Sequence, residues 1–391
     1  MRQKYFARYQ KPLADMPDLV TMQKASYDWL LKDGLKDLFR EFSPIKDYSE
    51  KKFELEFTDF QLEAPKFDEH FAKANQVSYE AALKVRVKLK NKIINEEKEQ
   101  EIFLADFPLM TNHGTFVINA NERVVVTQLA RSFGIFFTEN ELRGKKYFGA
   151  KIIPAIGAWI EFETESDDTI YVRIDRKRKF PFVSLLRVLA DLEGKTLTDE
   201  DILAAFAGLK SDTDYIKTSL AKDHAKTADD SYLEIYKRLR DSDLATVQNA
   251  REFVTGLFSR ERYDISEVGR LRFNERFGKP APADTKANRT LYSDDIISII
   301  KHVVELNNEP TAQADDIDHL GLRRVRCVGE TLQQKLRVGM LQMRRNIQDR
   351  MSTVDSSTTL PMQFINPRPL QAKIKEFFTT NQLSQFMSQK N

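Results

Sequence analysis

The chain has 391 residues, 41% of them hydrophobic and 31% charged, and its 61 Lys and Arg against 59 Asp and Glu leave a net charge of only +2. That length fits two or three domains of about 100–200 residues each, with real cores. The near-neutral balance neither announces nor excludes a nucleic-acid partner, so any surface for a polyanion must be local, and one cysteine, Cys327, excludes an intrachain disulfide or a multi-cysteine zinc site.

Asp15-Met16-Pro17-Asp18 reads as a helix start, and Leu19, Met22, Ser26, Trp29 and Leu30 recur at helical spacing as far as Gly34. A second short helix, Leu35 to Phe42, is expected to stop at Ser43-Pro44. The period then changes to two. Phe53, Leu55 and Phe57, then Val85, Val87 and Leu89 between Lys84, Arg86, Lys88 and Lys90, predict half-buried antiparallel strands. The basic outer face of Lys84 to Lys90 could meet a polyanion, although a solvated strand face is the commoner case. Gly114 to Ala120 reads as another alternating strand and Val124-Val125-Val126 as a buried one, closing a mixed sheet-and-helix unit near Phe137. Arg131 follows directly, and a cation at a strand end is placed to reach out of its sheet.

From about Leu142 the pattern restarts with KIIPAIGAWIEFE and TIYVRIDRKRKFP, strand-like runs that hold Trp159 and the cluster Arg173, Asp175, Arg176, Lys177, Arg178 and Lys179. An aromatic beside a basic ribbon is the makeup of a single-strand platform, with the ring on a base and the cations along the phosphates. The alternative is a core tryptophan with the basic run on a wet edge, where lysine blocks strand addition. Helices then dominate: Leu185 to Leu192, a Thr198/Asp201 capping box, and starts near Tyr215, Tyr232 and Val247. Ser293-Asp294-Asp295 opens a helix with Ile296, Ile297, Ile299, Ile300, Val303 and Val304, too apolar to be exposed, and Pro280 to Asn288 reads as a surface loop.

After a loop from Asn307 to Ala314 comes DDIDHLGLRRVR, Asp315 to Arg326, which packs three carboxylates, one histidine and three arginines into twelve residues. The arginines offer planar forks for phosphate or a base edge, and the carboxylates can orient those forks or accept from a base amine. An internal salt-bridge cluster at a domain joint is the competing reading. Cys327 reads as a small core residue, and Val328, Leu332, Leu336, Met340, Met343 and Ile347 mark a long helix whose narrow apolar seam needs a partner. Asn366-Pro367 opens a last helix through Phe377-Phe378.

Several catalytic and targeting signals are absent. Five histidines form no HExxH pattern, and neither GxGxxG nor GxxxxGKS/T occurs among the 14 glycines, so a histidine-rich metal site and a glycine cradle for nucleotide phosphates are not expected. No apolar run approaches the ~18 residues of a membrane helix, and MRQKYFARYQK has no apolar core for a secretory signal, so no membrane partner is expected and the expected location is the cytoplasm.

DDIDHLGLRRVR followed by Val328-Gly329-Glu330 resembles a segment of the bacterial RNA polymerase beta subunit, where that chain leaves the lobe and re-enters the protrusion. Gln382 to Met387 (QLSQFM) resembles the start of the rifamycin-binding region, Gly114 to Ser132 (GTFVINANERVVVTQLARS) the protrusion core, and Tyr263 to Gly278 (YDISEVGRLRFNERFG) a lobe block. The similarity runs in colinear blocks from about Pro17 to Asn391, weakest between Lys195 and Arg260. It implies an α+β fold: a discontinuous mixed sheet/helix protrusion, 1–140 and 315–391, with an inserted, helix-rich lobe over 141–314, the last part running into the fork and rifamycin region. Because that subunit continues well beyond this point, the chain is expected to be a fragment of it.

The resemblance also implies a site. Arg131, Trp159, Asp175, Ile317, Asp318 and Arg323 align with residues that handle the unpaired nontemplate DNA strand, with Trp159 stacking, Arg131 and Arg323 donating, and Asp318 accepting from a base N–H. Phe133 replaces the usual proline, Ala130 the usual histidine and Leu322 the usual asparagine. The rifamycin-region residues are Asn381, Gln382, Leu383, Ser384, Gln385, Phe386 and Met387, and Ser388 stands where the family commonly has aspartate. The polymerase holds its magnesium on another subunit, in an NADFDGD-like loop absent here, so no cofactor and no catalytic residue is expected of this chain. Its expected partners are DNA, the alpha and beta-prime subunits, sigma and elongation factors. Two rival readings remain: a factor-docking module without base contacts, and a metal-dependent phosphoryl-transfer enzyme using Asp315, Asp316 and Asp318, in which the neighbouring arginines would repel the ion.

Overall fold

The structure, a computed structural model, describes residues 17–142, 144–209, 214–240, 246–259, 262–280, 286–309, 311–354 and 360–387. Asp15, Met16, residues 281–285 of the PAPADTKAN loop, Pro310 and Ser388 lie outside the described residues. The chain divides into two compact units, Met1–Leu129 with Val325–Asn391, and Ala130–Arg324. These divisions fall at 129/130 and 324/325, where the sequence suggested 140/141 and 314/315. The physical reason is that Gly134–Leu142 is an edge strand of the second unit's sheet, and Phe137, expected to close the first unit, is buried in the second core.

In the first unit, alternation of apolar and charged residues gives a four-stranded antiparallel sheet in the order Ile45–Lys46, Phe53–Leu62, Glu80–Asn91, Glu96–Pro108. The helix Val328–Thr353 lays Val328, Leu332, Leu336, Met340, Met343 and Ile347 into the same core as Phe53, Leu55, Val85, Val87 and Leu89, so the narrow seam has its partner. Cys327 is buried just before it, and burial pushes its thiol up, as suits an inert core residue.

The first helix buries only part of the face its spacing suggests: Leu30 and Ser26 point inward, while Leu19, Met22 and Trp29 are exposed. Thr21–Trp29 runs through a π-helical turn, Leu30–Gly34, into Leu35–Glu41; Tyr27 and Leu30 are buried while Leu19 is 91% exposed. Its inward face carries polar Gln23 and Ser26, because these satisfy the first orphan N–H groups of the long helix: Val328 N–H donates to Gln23 Oε1 at 3.4 Å and Gly329 N–H to Ser26 Oγ at 3.0 Å. The approach is so close that a Cβ on Gly329 would stand 2.1 Å from the Ser26 carbonyl oxygen.

Two further expectations change. Of Gly114 to Ala120 only Phe116–Ile118 is strand, because Asn119 and Ala120 turn the chain with φ of 48° and 66°. Of Val124 to Val126 only Val125 is buried; Val126 is exposed beyond the end of the strand Asn121–Val125. The basic strand is flanked on both sides by acidic ones, with Lys88 to Glu97 at 2.7 Å, Lys84 to Glu101 at 3.3 Å and Lys92 to Glu54 at 3.0 Å. Lys84 and Lys88 are thus engaged by glutamates on the neighbouring strand, which favours the solvated strand face, while Arg86 between them is exposed with no side-chain partner among the described residues.

In the second unit, the two strand-like runs each break into two strands of a five-stranded antiparallel sheet, ordered Phe180–Pro181, Ile170–Ile174, Ile160–Thr164, Lys145–Ile153, Gly134–Leu142. Its apolar face stacks Ile152, Ile160 and Ile174 in one row and Ala150, Phe162 and Val172 in the next. Helices cover that face: Phe182–Leu192 is buried almost throughout, and Ser293–Asn308 contributes Ile296, Ile299, Ile300, Val303 and Val304. The Thr198/Asp201 capping box opens Asp199–Ala205. Among the described residues no helix is long and apolar enough to cross a membrane.

Candidate nucleic-acid interface

The other face of that five-stranded sheet is charged, as the two-residue period requires. Lys151, Glu161 and Arg173 share one cross-strand row; Lys151 Nζ lies 2.7 Å from Glu161 Oε1, and Arg173 Nε 3.3 Å from Glu163 Oε2. A polar cleft of about 620 Å³ opens over this face, with Arg131, Lys146, Lys151, Glu161, Asp315 and Ile317 among its walls. Two residues of the expected site, Arg131 and Ile317, therefore meet there although 186 positions separate them in the chain.

Arg131 is half-buried at the end of the strand Gln128–Arg131, and Arg323 is half-buried at the start of Arg323–Arg326, the strand with which it pairs. Ser132 N–H donates to the Leu322 carbonyl at 2.9 Å, which ties together the residues next to the two arginines. Among the described residues neither guanidinium has a hydrogen bond or an ion pair. Their neighbour Arg324 instead lies over the Phe133 ring, 4.0 Å from its centroid.

Asp315 has the opposite character. Its carboxylate accepts from Arg276 Nη1 and Nη2, both at 2.9 Å, and from Phe137 N–H at 2.7 Å, while its own N–H donates to the Phe137 carbonyl at 3.0 Å. Asp316 Oδ1 accepts from Asp318 N–H at 2.9 Å, which leaves the Asp318 carboxylate exposed on a short turn. Among the described residues no group of three or more His, Cys, Asp or Glu side chains is placed to hold a metal ion.

Trp159 and Asp175 are brought together away from the cleft lining. Trp159 is half-buried rather than in the core; its carbonyl accepts from Asp175 N–H at 2.9 Å, and Arg176 lies 5.7 Å from its ring centroid. Asp175 and Arg176 have φ of 53° and 57°, and Lys177 N–H closes the turn on the Ile174 carbonyl at 3.0 Å. This is the left-handed pair a tight hairpin uses. Trp159 immediately precedes the strand Ile160–Thr164. Sequence reasoning missed Lys151, Glu161 and Arg276; the alternation of charged and apolar residues in KIIPAIGAWIEFE was the available signal for the first two.

In the first unit, Ser384–Phe386 adds an antiparallel strand to Asn121–Val125, pairing Ser384 with Val125 and Phe386 with Arg123. Ser384 is buried and its Oγ donates to the Phe378 carbonyl at 2.8 Å; Arg123 donates to the Ser384 carbonyl at 3.1 Å and covers the Phe386 ring at 4.2 Å. Asn381 Oδ1 accepts from Leu383 N–H at 3.0 Å, Gln385 Nε2 donates to the Gln382 carbonyl at 3.2 Å, and Phe386 and Met387 are exposed. The segment from Asn381 to Met387 is thus a strand-and-turn addition with two apolar side chains facing solvent.

An antiparallel sheet with a helical cover on one face and a charged cleft on the other is matched, over residues 122–326, by the family RNA polymerase Rpb2, domain 2. That match takes in more than half of the chain, and the chain belongs to this family. It is also 41% identical, over an alignment of 414 positions, to the DNA-directed RNA polymerase subunit beta of Chloroflexus aggregans (strain MD-66 / DSM 9485). The alignment takes in 99% of this chain and 33% of that protein, so the chain spans about a third of the relative's length.

Proposed function

We propose that this chain acts as part of the beta subunit of a DNA-directed RNA polymerase, a nucleotidyltransferase complex. In this reading the unit of residues 1–129 and 325–391 forms the protrusion and the start of the fork, and the unit of residues 130–324 the lobe. Together they serve as a wall of the DNA cleft that guides downstream duplex and accepts unpaired nontemplate bases, without supplying a catalytic residue or holding the enzyme's magnesium. Alpha, beta-prime, sigma and elongation factors are its partners. The observation that carries the reading is the pair Arg131 and Arg323, two half-buried guanidiniums on paired strands with no partner among the described residues, of which Arg131 lines a cleft whose other charges are mostly matched. Forks held ready in this way suit a base edge or a phosphate. Trp159 supplies the stacking surface, Asp175 stands exposed beside it, and Asp318 presents an exposed carboxylate to a base N–H. The segment Asn381 to Ser388 is the start of the rifamycin region.

The test is binding of a labelled single-stranded oligodeoxynucleotide to the full chain. Trp159→Ala is expected to cost about 1–3 kcal/mol, the usual worth of one stacked base. Equal weak binding by both proteins would leave factor docking as the better reading. The phosphoryl-transfer alternative is disfavoured by Asp315, whose oxygens are taken up by Arg276 and Phe137.

A further inference from the structure

Arg272 and Arg276 stand four residues apart on the helix Ser266–Arg276, and therefore on one face of it. Each holds one end of the same turn. Arg276 grips Asp315 through both Nη atoms at 2.9 Å, and Arg272 Nη2 donates to the Gly321 carbonyl at 2.8 Å. Between these anchors lie Ile317, which lines the cleft, and Asp318, which is exposed.

The Asp315 end is fixed from several sides. Its carboxylate and its N–H both bond the main chain of Phe137 on the edge strand, as a neighbouring strand residue would. Arg276 lies 4.5 Å above the Phe137 ring, and that buried ring meets His302 edge-on at 4.5 Å. At the other end His319 Nδ1 accepts from Gly321 N–H at 3.0 Å and Leu322 N–H returns to the His319 carbonyl at 2.9 Å.

We propose that Arg272 and Arg276 are positioning residues for the base site: one helix face clamps both ends of the 315–321 turn and so fixes where Ile317 and Asp318 stand. The proposal rests on the reading of that site given above. Neither arginine needs to touch the nucleic acid. The pair is a supporting shell, and a site whose support is removed loses affinity without losing a contact.

The test uses the full chain, a labelled single-stranded oligodeoxynucleotide and hydrogen exchange of the amides from 316 to 321. R276A and R272A are each expected to speed exchange in that turn and to weaken binding about 10-fold, within the range measured for coupled neighbours. The dependence of log affinity on log salt should stay as in wild type, since a lost phosphate contact would flatten it by about 0.7. R276K, which keeps one donor for Asp315 but loses the paired fork, should recover part of the affinity, and it keeps the test decisive if R276A fails to fold. Unchanged exchange overturns the clamp, as does faster exchange with wild-type affinity or a flattened salt slope. Equal binding by wild type and D318A overturns the site reading instead, and the exchange data then judge the clamp alone.

Discussion

Removing the two unpartnered arginines should be costly for binding and cheap for folding, which is the reverse of what most charged side chains here would do. Arg131 and Arg323 make no hydrogen bond or ion pair among the described residues, so truncating either leaves no orphaned protein group. The whole effect should fall on the ligand, about 1–3 kcal/mol for a fork that reads a base edge, or about 5- to 150-fold in Kd. Lys146 is the control: it also lines the cleft, but it is paired with Glu139 at 3.2 Å with both side chains near half exposed, and such pairs contribute little. K146A should change affinity by no more than about 2-fold. R131K should recover less than half of the lost free energy, because a lysine cannot present two parallel donors. The assay is anisotropy of a labelled single-stranded oligodeoxynucleotide titrated with the full chain, with thermal melts run alongside. If K146A weakens binding as much as R131A, or if R131A lowers the melting temperature by several degrees, the reasoning from free and engaged cations is wrong.

Three other outcomes are expected. Asp47 is buried, and although burial works against ionisation, hydrogen bonds from Ser49, Phe53 and Lys52 outweigh it and hold its pKa at about 2 against an ordinary 3.8. A depressed carboxyl pKa stabilises the fold fully above about pH 4 and loses that contribution as pH falls toward 2, so urea melts should show D47A weaker by about 2 kcal/mol at pH 7 and the gap closing through that window; a gap independent of pH refutes it. G149A should destabilise by more than about 2 kcal/mol, because its Cβ would stand 2.2 Å from the Phe162 carbonyl oxygen on the next strand, a backbone atom that cannot swing aside; a melting temperature within a degree of wild type would contradict this. Ser388, standing where the family commonly has aspartate, is expected to weaken rifamycin binding, so in a reconstituted polymerase carrying this chain S388D should increase sensitivity to the drug, and equal inhibition of both forms would refute it.

The fold was legible where a single face is buried against a single kind of partner. The seam Val328, Leu332, Leu336, Met340, Met343, Ile347 and the rows around Phe53 and Val85 write their periods directly into the sequence, and all of those residues are in the core. Legibility failed where a buried face is polar for a reason supplied elsewhere. Gln23 faces inward beside Ser26 because the long helix arrives, about 300 residues later, with N–H groups that need acceptors; Ser26 lies on the helical spacing read from the sequence, and nothing within the first helix marks Gln23. The exposed Leu19 and Met22 then looked like the buried stripe.

The site divides along the same line. The density of charge in DDIDHLGLRRVR marks the stretch as special, but which charges are free depends on partners far away in sequence: Arg276 is 39 residues before Asp315, and Phe137 is 178 before it. The salt-bridge reading and the binding reading of this stretch are therefore not rivals. Asp315 is an internal ion pair, Arg323 two turns of chain later has no partner, and the first holds in place the loop that leads to the second. The same criterion takes Lys84, Lys88 and Lys90 out of consideration, because flanking glutamates answer those lysines, and leaves only Arg86 of that run unmatched among the described residues. A basic run in a sequence counts cations, whereas a ligand meets only those the fold leaves unmatched. On that criterion the interface is defined less by DDIDHLGLRRVR itself than by what Arg276, Glu97 and Glu161 have already claimed.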